Sequence, residues 1–294
     1  MKNYRIVDRN HDGDWKYSIL IPTWNNLACL QLVLRSLETH STFRHQIIVM
    51  INEGKDSTAE WVHNNTNYDY IYAEENLGVC FGLNLCRSLV KCPYIVYMND
   101  DMYALPCWDL ELDREVQAIG HNWFYLSSTM IEPGTSDNNC VIRADYGRDP
   151  GSLREDKLLQ EFRSFEFHDW QGSTWPPNIL HRDLWDLVGG MSIEFSPGMY
   201  SDPDFSRKLW LVGVRFFKGV AASRVYHFGA KTTKRIKHNL GRDMFIRKWG
   251  MSAGTFTKSF LRRGERFDGP LQEPVVDVSK LWENKLKAVL SSLR

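Results

Sequence analysis

Residues 94–101 read YIVYMNDD, a short apolar run followed directly by one amide and two carboxyl side chains. The run has the length and composition of a buried β-strand. Carboxylates at the end of such a strand are unfavourable unless water, a partner or a bound cation stabilises their charge. Asn and Asp also favour turns, so a simple turn is the alternative interpretation of this triplet. The pattern of the segments upstream of it favours a cation site over a simple turn.

Three further apolar runs precede this one, and a helical pattern follows each of them. They are YSILI at 17–21, QIIVMI at 46–51 and YIYA at 70–73. Leucines between residues 27 and 37 recur at the three- and four-residue spacing of one helix face. Strands that alternate with helices need crossover connections, so we predict an α/β fold with a largely parallel sheet and helices on both faces. We expect the first strand to end at Pro22.

Polar residues follow all four predicted strands. Because ligands of parallel sheets bind at the carboxyl ends of the strands, we expect these residues to line one crevice. The oxygen atoms of Asn99, Asp100 and Asp101 favour a hard cation, Mg²⁺ or Mn²⁺, and a diphosphate would complete its coordination. The residues expected to line the crevice are Thr23, Trp24, Asn25, Asn52, Glu53, Asp56, Asn76, Gly78, Asn99, Asp100 and Asp101.

Composition excludes several other classes of protein. The 36 Lys and Arg residues balance 36 Asp and Glu residues, so no global field attracts nucleic acid or an anionic membrane. No apolar run approaches the roughly eighteen residues of a membrane span, and we expect no signal peptide. The six cysteines form no C-x-x-C pair and are predicted to be buried thiols of a cytoplasmic protein. Dinucleotide, P-loop, serine-hydrolase and zincin motifs are absent from the sequence.

Two constellations lie in the less regular second half. Asp202 and Asp204 precede an apolar helical pattern, where acids commonly serve as helix caps. One of them can instead face a substrate. His227 follows an apolar run and precedes a basic segment in which Lys231 and its neighbours could close over phosphates; the alternative is a solvated basic face.

The second half also contains predicted strands and helices. We expect strands at 124–130, 214–217 and 224–228, and helices at 153–162 and 182–188. Near the C-terminus, an apolar stripe from residue 278 to residue 293 predicts a helix that docks on the preceding domain or pairs with another copy of the chain.

With these motifs in view, the chain resembles glycosyltransferase family 2, the inverting enzymes of the GT-A fold. The resemblance covers about residues 17–230, and the tail is similar only to a branch tied to surface polysaccharide synthesis. Six ordered segments carry it: SILIPTWNN, IIVMINEGKDST, ENLGVCFGLN, YIVYMNDDMYALPCWD, WPPNILHRDLWDLVGG and SDPDFSRKLW.

The resemblance implies transfer of a sugar from a UDP-, dTDP- or GDP-sugar to a hydroxyl of a glycan or another acceptor. By position in the motifs, Asp101 takes the place of the metal ligand and Asp202 that of the catalytic base. His227 stands where related enzymes often have a further metal ligand. The residues placed at the nucleotide sugar are Pro22, Thr23, Trp24, Asn25, Asn52, Glu53, Asn76, Gly78, Asn84, Asn99, Asp100 and Lys231.

The same resemblance divides the chain into three parts of a Rossmann-like GT-A enzyme. Residues 1–130 form the nucleotide-sugar half, 131–230 the acceptor half, and 231–294 a basic, mostly helical C-terminal extension. Two alternatives stay open. A sugar-1-phosphate nucleotidyltransferase shares the sheet and the acids but normally has a glycine-rich basic loop after its first strand. A non-catalytic carbohydrate-binding protein could keep the same fold.

Overall fold

The computed structural model describes residues 3–9, 13–134, 138–229, 240–275 and 278–292. Their helices are α1 (Leu27–His40), α2 (Thr58–Asn65), α3 (Val79–Cys86), α4 (Trp108–Ile119), α5 (Glu155–Glu161), α6 (Arg182–Leu187), α7 (Ser201–Leu211), α8 (Gly241–Trp249), α9 (Ala253–Thr255) and α10 (Val278–Ser292). Their strands are β1 (Tyr4–Val7), β2 (Ser18–Trp24), β3 (Gln46–Asn52), β4 (Asp69–Ala73), β5 (Tyr94–Tyr97), β6 (Met102–Ala104), β7 (Phe124–Glu132), β8 (Val141–Arg143), β9 (Trp170–Gln171), β10 (Asn178–His181) and β11 (Phe216–His227).

These strands form one mixed sheet with a parallel centre. Its main order is β1-β4-β3-β2-β5-β10-β7-β11-β6. Strands β4, β3, β2 and β5 are parallel, and β11 is parallel to β7. Strand β10 runs antiparallel between β5 and β7, and the edge strands β1 and β6 are also antiparallel to their neighbours. The predicted largely parallel α/β sheet is therefore confirmed.

Two hydrophobic cores cover the two faces of this sheet. Successive residues of a strand point to opposite faces, and in β2 Ile19 belongs to one core and Leu20 to the other. Residues of α1 and α4, such as Leu30 and Trp108, pack with Ile19. Residues of α3, α7 and α8, such as Phe205, pack with Leu20. The helices therefore lie on both faces, as the apolar periodicity predicts.

The predicted end of the first strand at Pro22 is wrong, because β2 continues to Trp24. The carbonyl of Leu20 accepts a hydrogen bond from the Met98 amide on the β5 side. Pro22 lies two residues further along, so it faces the same side. Strand β5 pairs with β2 only as far as Leu20, and the missing N–H of proline therefore interrupts no ladder hydrogen bond.

The two strands predicted at 214–217 and 224–228 are one strand, β11. Its register against β7 shifts between Val220 and Arg224. A bulge of this kind keeps one strand continuous while its apolar alternation is lost. Because the sequence pattern is interrupted at the bulge, the single strand β11 was predicted as two separate strands.

The loops that carry the predicted site residues lie at one edge of the sheet. The carboxyl ends of β2, β3, β4 and β5 lie there because these strands are parallel. Strand β10 is antiparallel to β5, so its first residue, Asn178, lies at this edge opposite Tyr97. The last residue of β11, His227, reaches the same edge and pairs with Met102 of β6.

The C-terminal helix α10 lies against α8. Asn284 is buried there, and its Oδ1 accepts hydrogen bonds from the Ser252 amide and the Thr255 hydroxyl, both at 3.1 Å. Trp282 and Leu286 remain exposed on α10. Oligomerisation through this helix stays a prediction. Among the described residues, no helix combines the length and the hydropathy needed to cross a bilayer.

Candidate active site

A cavity of about 530 Å³ opens at this carboxyl edge of the sheet. The structure brings most of the predicted site residues together on its wall. They are Pro22, Thr23, Trp24, Asn52, Asn76, Asn99, Asp100, Asp101, Asp202 and His227. Residues from both halves of the chain therefore contribute to one site.

Asn25 and Glu53 are not among the residues on the cavity wall. The Asn25 side-chain amide donates to Glu53 Oε2 at 3.0 Å, and its Oδ1 accepts from the Lys55 amide at 2.8 Å. These contacts join the loop after β2 to the loop after β3. Their observed role is to fix the shape of the two loops that carry Trp24 and Asn52.

Gly78 and Asn84 also lie off the cavity wall. A Cβ atom at Gly78 would lie 2.9 Å from Ser196 Cβ, so glycine permits close packing at this point. The Asn84 side chain donates to the Met191 carbonyl at 2.7 Å and accepts from the Met191 amide at 2.8 Å. Both residues thus support the segment that leads to α7. Lys231 lies outside the described residues.

The wall formed by the first half carries polar groups of two kinds. Asn52 Oδ1 accepts from the Leu77 amide at 2.9 Å, which ties the loops after β3 and β4 together. The buried Thr23 hydroxyl has no hydrogen-bond partner within the described part of the chain. Because a buried hydroxyl without a partner is unfavourable, this atom is suited to a ligand in the cavity.

Asp101 and His227 form the charged centre of the cavity. The Asp101 Oδ1 atom lies 3.3 Å from His227 Nε2, and Glu132 Oε1 lies 2.6 Å from His227 Nδ1. The backbone fixes the pair, since the Phe228 amide donates to the Asp101 carbonyl at 3.1 Å. Glu132, at the end of β7, is a residue that no sequence pattern singled out.

Burial and charge oppose each other at this pair. Burial favours the neutral form of both side chains, but the imidazolium outweighs it and lowers the pKa of Asp101. For His227, burial lowers the pKa, while Asp101 and Glu132 together raise it to about 10. Without a further cation, His227 is therefore positively charged and balances two carboxylates.

The donor set fits a divalent metal ion. Two neighbouring ligands at about 2.1 Å from an octahedral ion lie about 3 Å apart, close to the observed Asp101–His227 spacing. His227 Nε2 is buried and has no hydrogen-bond partner among the described residues. Glu132 accepts the hydrogen on the other ring nitrogen, as carboxylates do behind metal-bound histidines.

The protein ligands for such an ion are few. Within the described part of the chain, no three His, Cys, Asp or Glu side chains are grouped so that they could hold a metal. A metal held by Asp101 and His227 would need further oxygen ligands, and Mg²⁺ commonly obtains these from substrate phosphates and water.

The two acids of α7 have different environments. Helix α7 begins at Ser201, and neither Asp202 nor Asp204 makes a side-chain capping hydrogen bond, so the cap interpretation does not hold. Asp204 is fully buried, and its Oδ1 lies 2.9 Å from Lys248 Nζ and 2.8 Å from Trp249 Nε1. Asp204 therefore joins α7 to α8.

Asp202 lines the cavity, and among the described residues no hydrogen bond or ion pair stabilises its carboxylate. Burial raises its pKa to about 7. The buried hydroxyls of Tyr97 and Tyr125 lie within range of its charge, which adds to the effect of burial in raising their pKa values. A carboxyl group that titrates near neutral pH is suited to general base catalysis.

The sequence model of one known family matches this chain. The family is described as Glycosyl transferase family 2, and the match covers residues 18–170 of 294, just over half of the chain. The chain belongs to glycosyltransferase family 2. The matched part of this glycosyltransferase includes Asp101 and excludes Asp202 and His227. No curated protein sequence matches the chain.

Solved structures of TarS from S. aureus resemble this glycosyltransferase. TarS 1–349 aligns with a TM-score of 0.56 and 12% identity over 95% of this chain and 72% of that chain. The same protein in complex with UDP-GlcNAc gives a TM-score of 0.55 and 11% identity over the same shares. Its complex with UDP gives 0.51 and 14% over 72% of this chain and 60% of that chain. At these identities the likeness shows the fold, and the predicted GT-A architecture is confirmed.

The Asp204 contacts generate a prediction about stability. Asp204→Ala leaves the Lys248 ammonium and the Trp249 N–H without their buried partner, so we expect unfolding free energy to fall by on the order of 3 kcal/mol. Glu194→Gln is the control, because Glu194 pairs with the same lysine at 2.7 Å at a more exposed position and should matter by less than about 1 kcal/mol. Urea denaturation measures both. Equal losses in the two variants would contradict the structural role of Asp204.

Proposed function

We propose that this protein is an inverting glycosyltransferase that moves a sugar from a nucleoside-diphosphate sugar to an acceptor hydroxyl. The observation that supports this proposal most strongly is the carboxylate of Asp202, which has no partner among the described residues and lines the same cavity as the Asp101–His227 pair. One group is suited to accept a proton, and the pair is suited to hold a cation beside a departing diphosphate. Family membership and the shared fold are consistent with this division.

The donor is proposed to lie across the loops after β2, β3 and β4. Thr23, Trp24, Asn52 and Asn76 line that side of the cavity. The TarS complexes with UDP and UDP-GlcNAc support a UDP-sugar, while dTDP- and GDP-sugars belong to the same chemical class. Asn99 and Asp100 directly precede Asp101 in the sequence and also line the cavity. They are proposed to contact the ribose, the sugar or the acceptor.

Asp101 and His227 are proposed to hold Mn²⁺ or Mg²⁺, which when bound supplies positive charge that stabilises the leaving nucleoside diphosphate. Glu132 keeps the hydrogen of His227 on Nδ1 and thereby leaves Nε2 free to act as a ligand. The imidazolium described above must lose one proton for this role, so metal affinity should fall at low pH.

Asp202 is proposed to accept the proton of the incoming hydroxyl. The hydroxyl oxygen forms the new bond to the anomeric carbon while the bond from that carbon to the diphosphate oxygen breaks. The electron pair leaves with the diphosphate, and the hydroxyl proton passes to Asp202. This direct displacement inverts the anomeric centre and needs one base, unlike the two-carboxylate scheme of retaining glycosidases.

A nucleotidyltransferase is disfavoured by the loop after β2. Such enzymes present a glycine-rich basic loop to phosphates, whereas the loop here reads PTWNN. The first amide of α1, that of Leu27, already donates to Asp56 Oδ2 at 2.8 Å. A carboxylate thus occupies the place where a helix N-terminus would bind phosphate.

A non-catalytic binding protein is disfavoured by Asp202. Its partly buried carboxylate lacks a stabilising partner in the described structure, which disfavours the charged form at neutral pH. A carbohydrate-binding protein can use a carboxylate as an acceptor for sugar hydroxyls, but a base in addition needs one that titrates near neutral pH.

The proposed metal site predicts the behaviour of Asp101→Ala. Loss of this direct ligand should abolish the Mn²⁺-dependent part of UDP binding, as measured by calorimetry with and without the metal. Asp100→Ala is the comparison, because Asp100 Oδ2 already accepts from Asn26 at 3.1 Å and a smaller loss is expected. Undiminished Mn²⁺-dependent binding of UDP by Asp101→Ala would show that the metal is held elsewhere.

The proposed base predicts opposite effects of Asp202→Asn on activity and stability. Release of nucleoside diphosphate should fall by roughly 10²- to 10⁴-fold, because the amide cannot accept the proton. The folded state keeps a proton on Asp202 up to a pKa of about 7, whereas the unfolded carboxyl loses it near pH 4. The charge therefore lowers stability as pH rises through this window, and Asp202→Asn should raise the melting temperature at pH 8.

Asp204→Asn is the matched control in the same helical turn. It weakens a buried ion pair, so its melting temperature should fall while turnover of the folded enzyme changes far less. A fully active Asp202→Asn enzyme, or one with a lowered melting temperature at pH 8, would contradict the assignment of the base.

A further inference from the structure

The side chain of Arg263 lines the cavity on the side away from the loops after β2, β3 and β4. Arg263 lies in the loop after the π-helical turn Phe256–Phe260, and its guanidinium carbon is 4.2 Å from the centre of the Trp175 ring. The Arg263 amide donates to the Thr257 carbonyl at 3.0 Å, and the Gly264 amide donates to the Gln171 carbonyl at 3.0 Å. The stacking and the backbone contacts hold the guanidinium at the cavity wall.

Arg263 differs from its neighbour Arg262 in that the described part of the chain offers it no acidic partner. Arg262 pairs with Glu265 and Asp268, each at 2.8 Å. Among the described residues, the Arg263 side chain has no hydrogen bond or ion pair, and its contact is the Trp175 ring. Burial lowers the pKa of Arg263, and no carboxylate offsets this effect.

The buried arginine Arg224, by contrast, finds acceptors for its guanidinium within the protein. Arg224 donates to the carbonyl oxygens of Ala221, Phe162 and Phe165. Because the Arg263 guanidinium has no acceptor among the described residues, its five N–H donors stay available to water or to a ligand in the cavity. A guanidinium that is fixed by an aromatic ring in a substrate cavity is suited to a phosphate or carboxylate.

The sheet order indicates which substrate carries that anion. Trp175 precedes β10, and β10 lies on the opposite side of β5 from β2 and β3. The donor loops follow β2, β3 and β4, and Asp101 follows β5. The Arg263–Trp175 pair therefore lies beyond Asp101 from the nucleotide side, where the acceptor must approach.

We propose that Arg263, stacked on Trp175, binds a phosphate or carboxylate group of the acceptor, so that the acceptor is an anionic glycan or a related anionic hydroxyl compound. This inference rests on the proposed transferase function, because only a transferase has an acceptor. The positively charged group draws the acceptor into the cavity and orients the hydroxyl toward Asp202. Arg263 is thus a specificity-determining residue.

A binding experiment tests the anion site without turnover. Inorganic phosphate is titrated by calorimetry into enzyme saturated with UDP and Mg²⁺, so that the diphosphate position is filled. Wild type should bind phosphate, Arg263→Gln should bind it roughly tenfold more weakly or not at all, and Arg263→Lys should keep part of the affinity. Arg262→Gln removes the same charge one residue away and should change the affinity by less than about twofold.

Two results of this titration would overturn the proposal. One is phosphate binding that is unchanged in Arg263→Gln. The other is an equal loss in Arg262→Gln, which would mean that binding follows the net charge of the loop. Melting temperatures of all variants show whether each one is folded. If Arg263→Gln does not fold, Arg263→Lys provides the readout.

A transfer experiment then distinguishes the source of the anion. A neutral sugar alcohol is compared with its phosphate ester as acceptor. Wild type should prefer the ester, and Arg263→Gln should raise the KM for the ester while the KM values for the neutral acceptor and the donor stay unchanged. If Arg263→Gln instead affects only nucleotide sugars that bear a uronic acid, the anion belongs to the donor and the proposal is wrong.

Failure of the underlying function gives a different result. If wild type transfers no sugar from any nucleotide sugar to either acceptor, the proposed function falls, and with it the assignment of this site to an acceptor. Transfer without any preference for the ester would leave the proposed function intact and would overturn only the role of Arg263.

Discussion

Asp101 and His227 meet at the carboxyl edge of the sheet, 3.3 Å apart, and the remainder of the site is arranged around them. Their positions follow from strand pairing, because Met102 of β6 is in register with His227 of β11. The parallel strands on one side bring the donor loops to this edge. The antiparallel β10 on the other side brings Trp175. In the proposed function, the ion pair divides the cavity into a nucleotide side and an acceptor side.

The charged side chains near this edge differ in whether the protein provides an oppositely charged partner, and this difference indicates their roles. Asp204 is neutralised by Lys248 and joins two helices. Asp202, two residues earlier, has no such partner among the described residues, and burial raises its pKa to about 7. Arg263 stands in the same relation to Arg262 as Asp202 does to Asp204, since one member of each pair has an oppositely charged partner within the protein. The member for which the described residues provide no such partner lines the cavity.

The sequence predicts the first half of the fold well because apolar runs and helix periodicity are local signals. It also predicts that the loops after β2 to β5 converge, since parallel strands leave no other arrangement. Local patterns could not distinguish Asp202 from Asp204, because the difference is Lys248 on another helix. Glu132 and Arg263 were missed for the same reason, as their significance depends on His227 and Trp175. The bulge in β11 divided one strand into two predicted ones, because a change of register removes the alternation that marks a strand.

Asp202, a partly buried carboxylate with a raised pKa, is proposed to serve as the base of the transfer reaction. The decisive measurement is the pH dependence of kcat/KM, followed as nucleoside diphosphate release at saturating metal in wild type and Asp202→Asn. We expect wild-type kcat/KM to rise with pH through one ionisation at about 7 and this inflection to be absent from the residual activity of the variant. A wild-type profile that is flat between about pH 5 and 8, or the same inflection in Asp202→Asn, would contradict it.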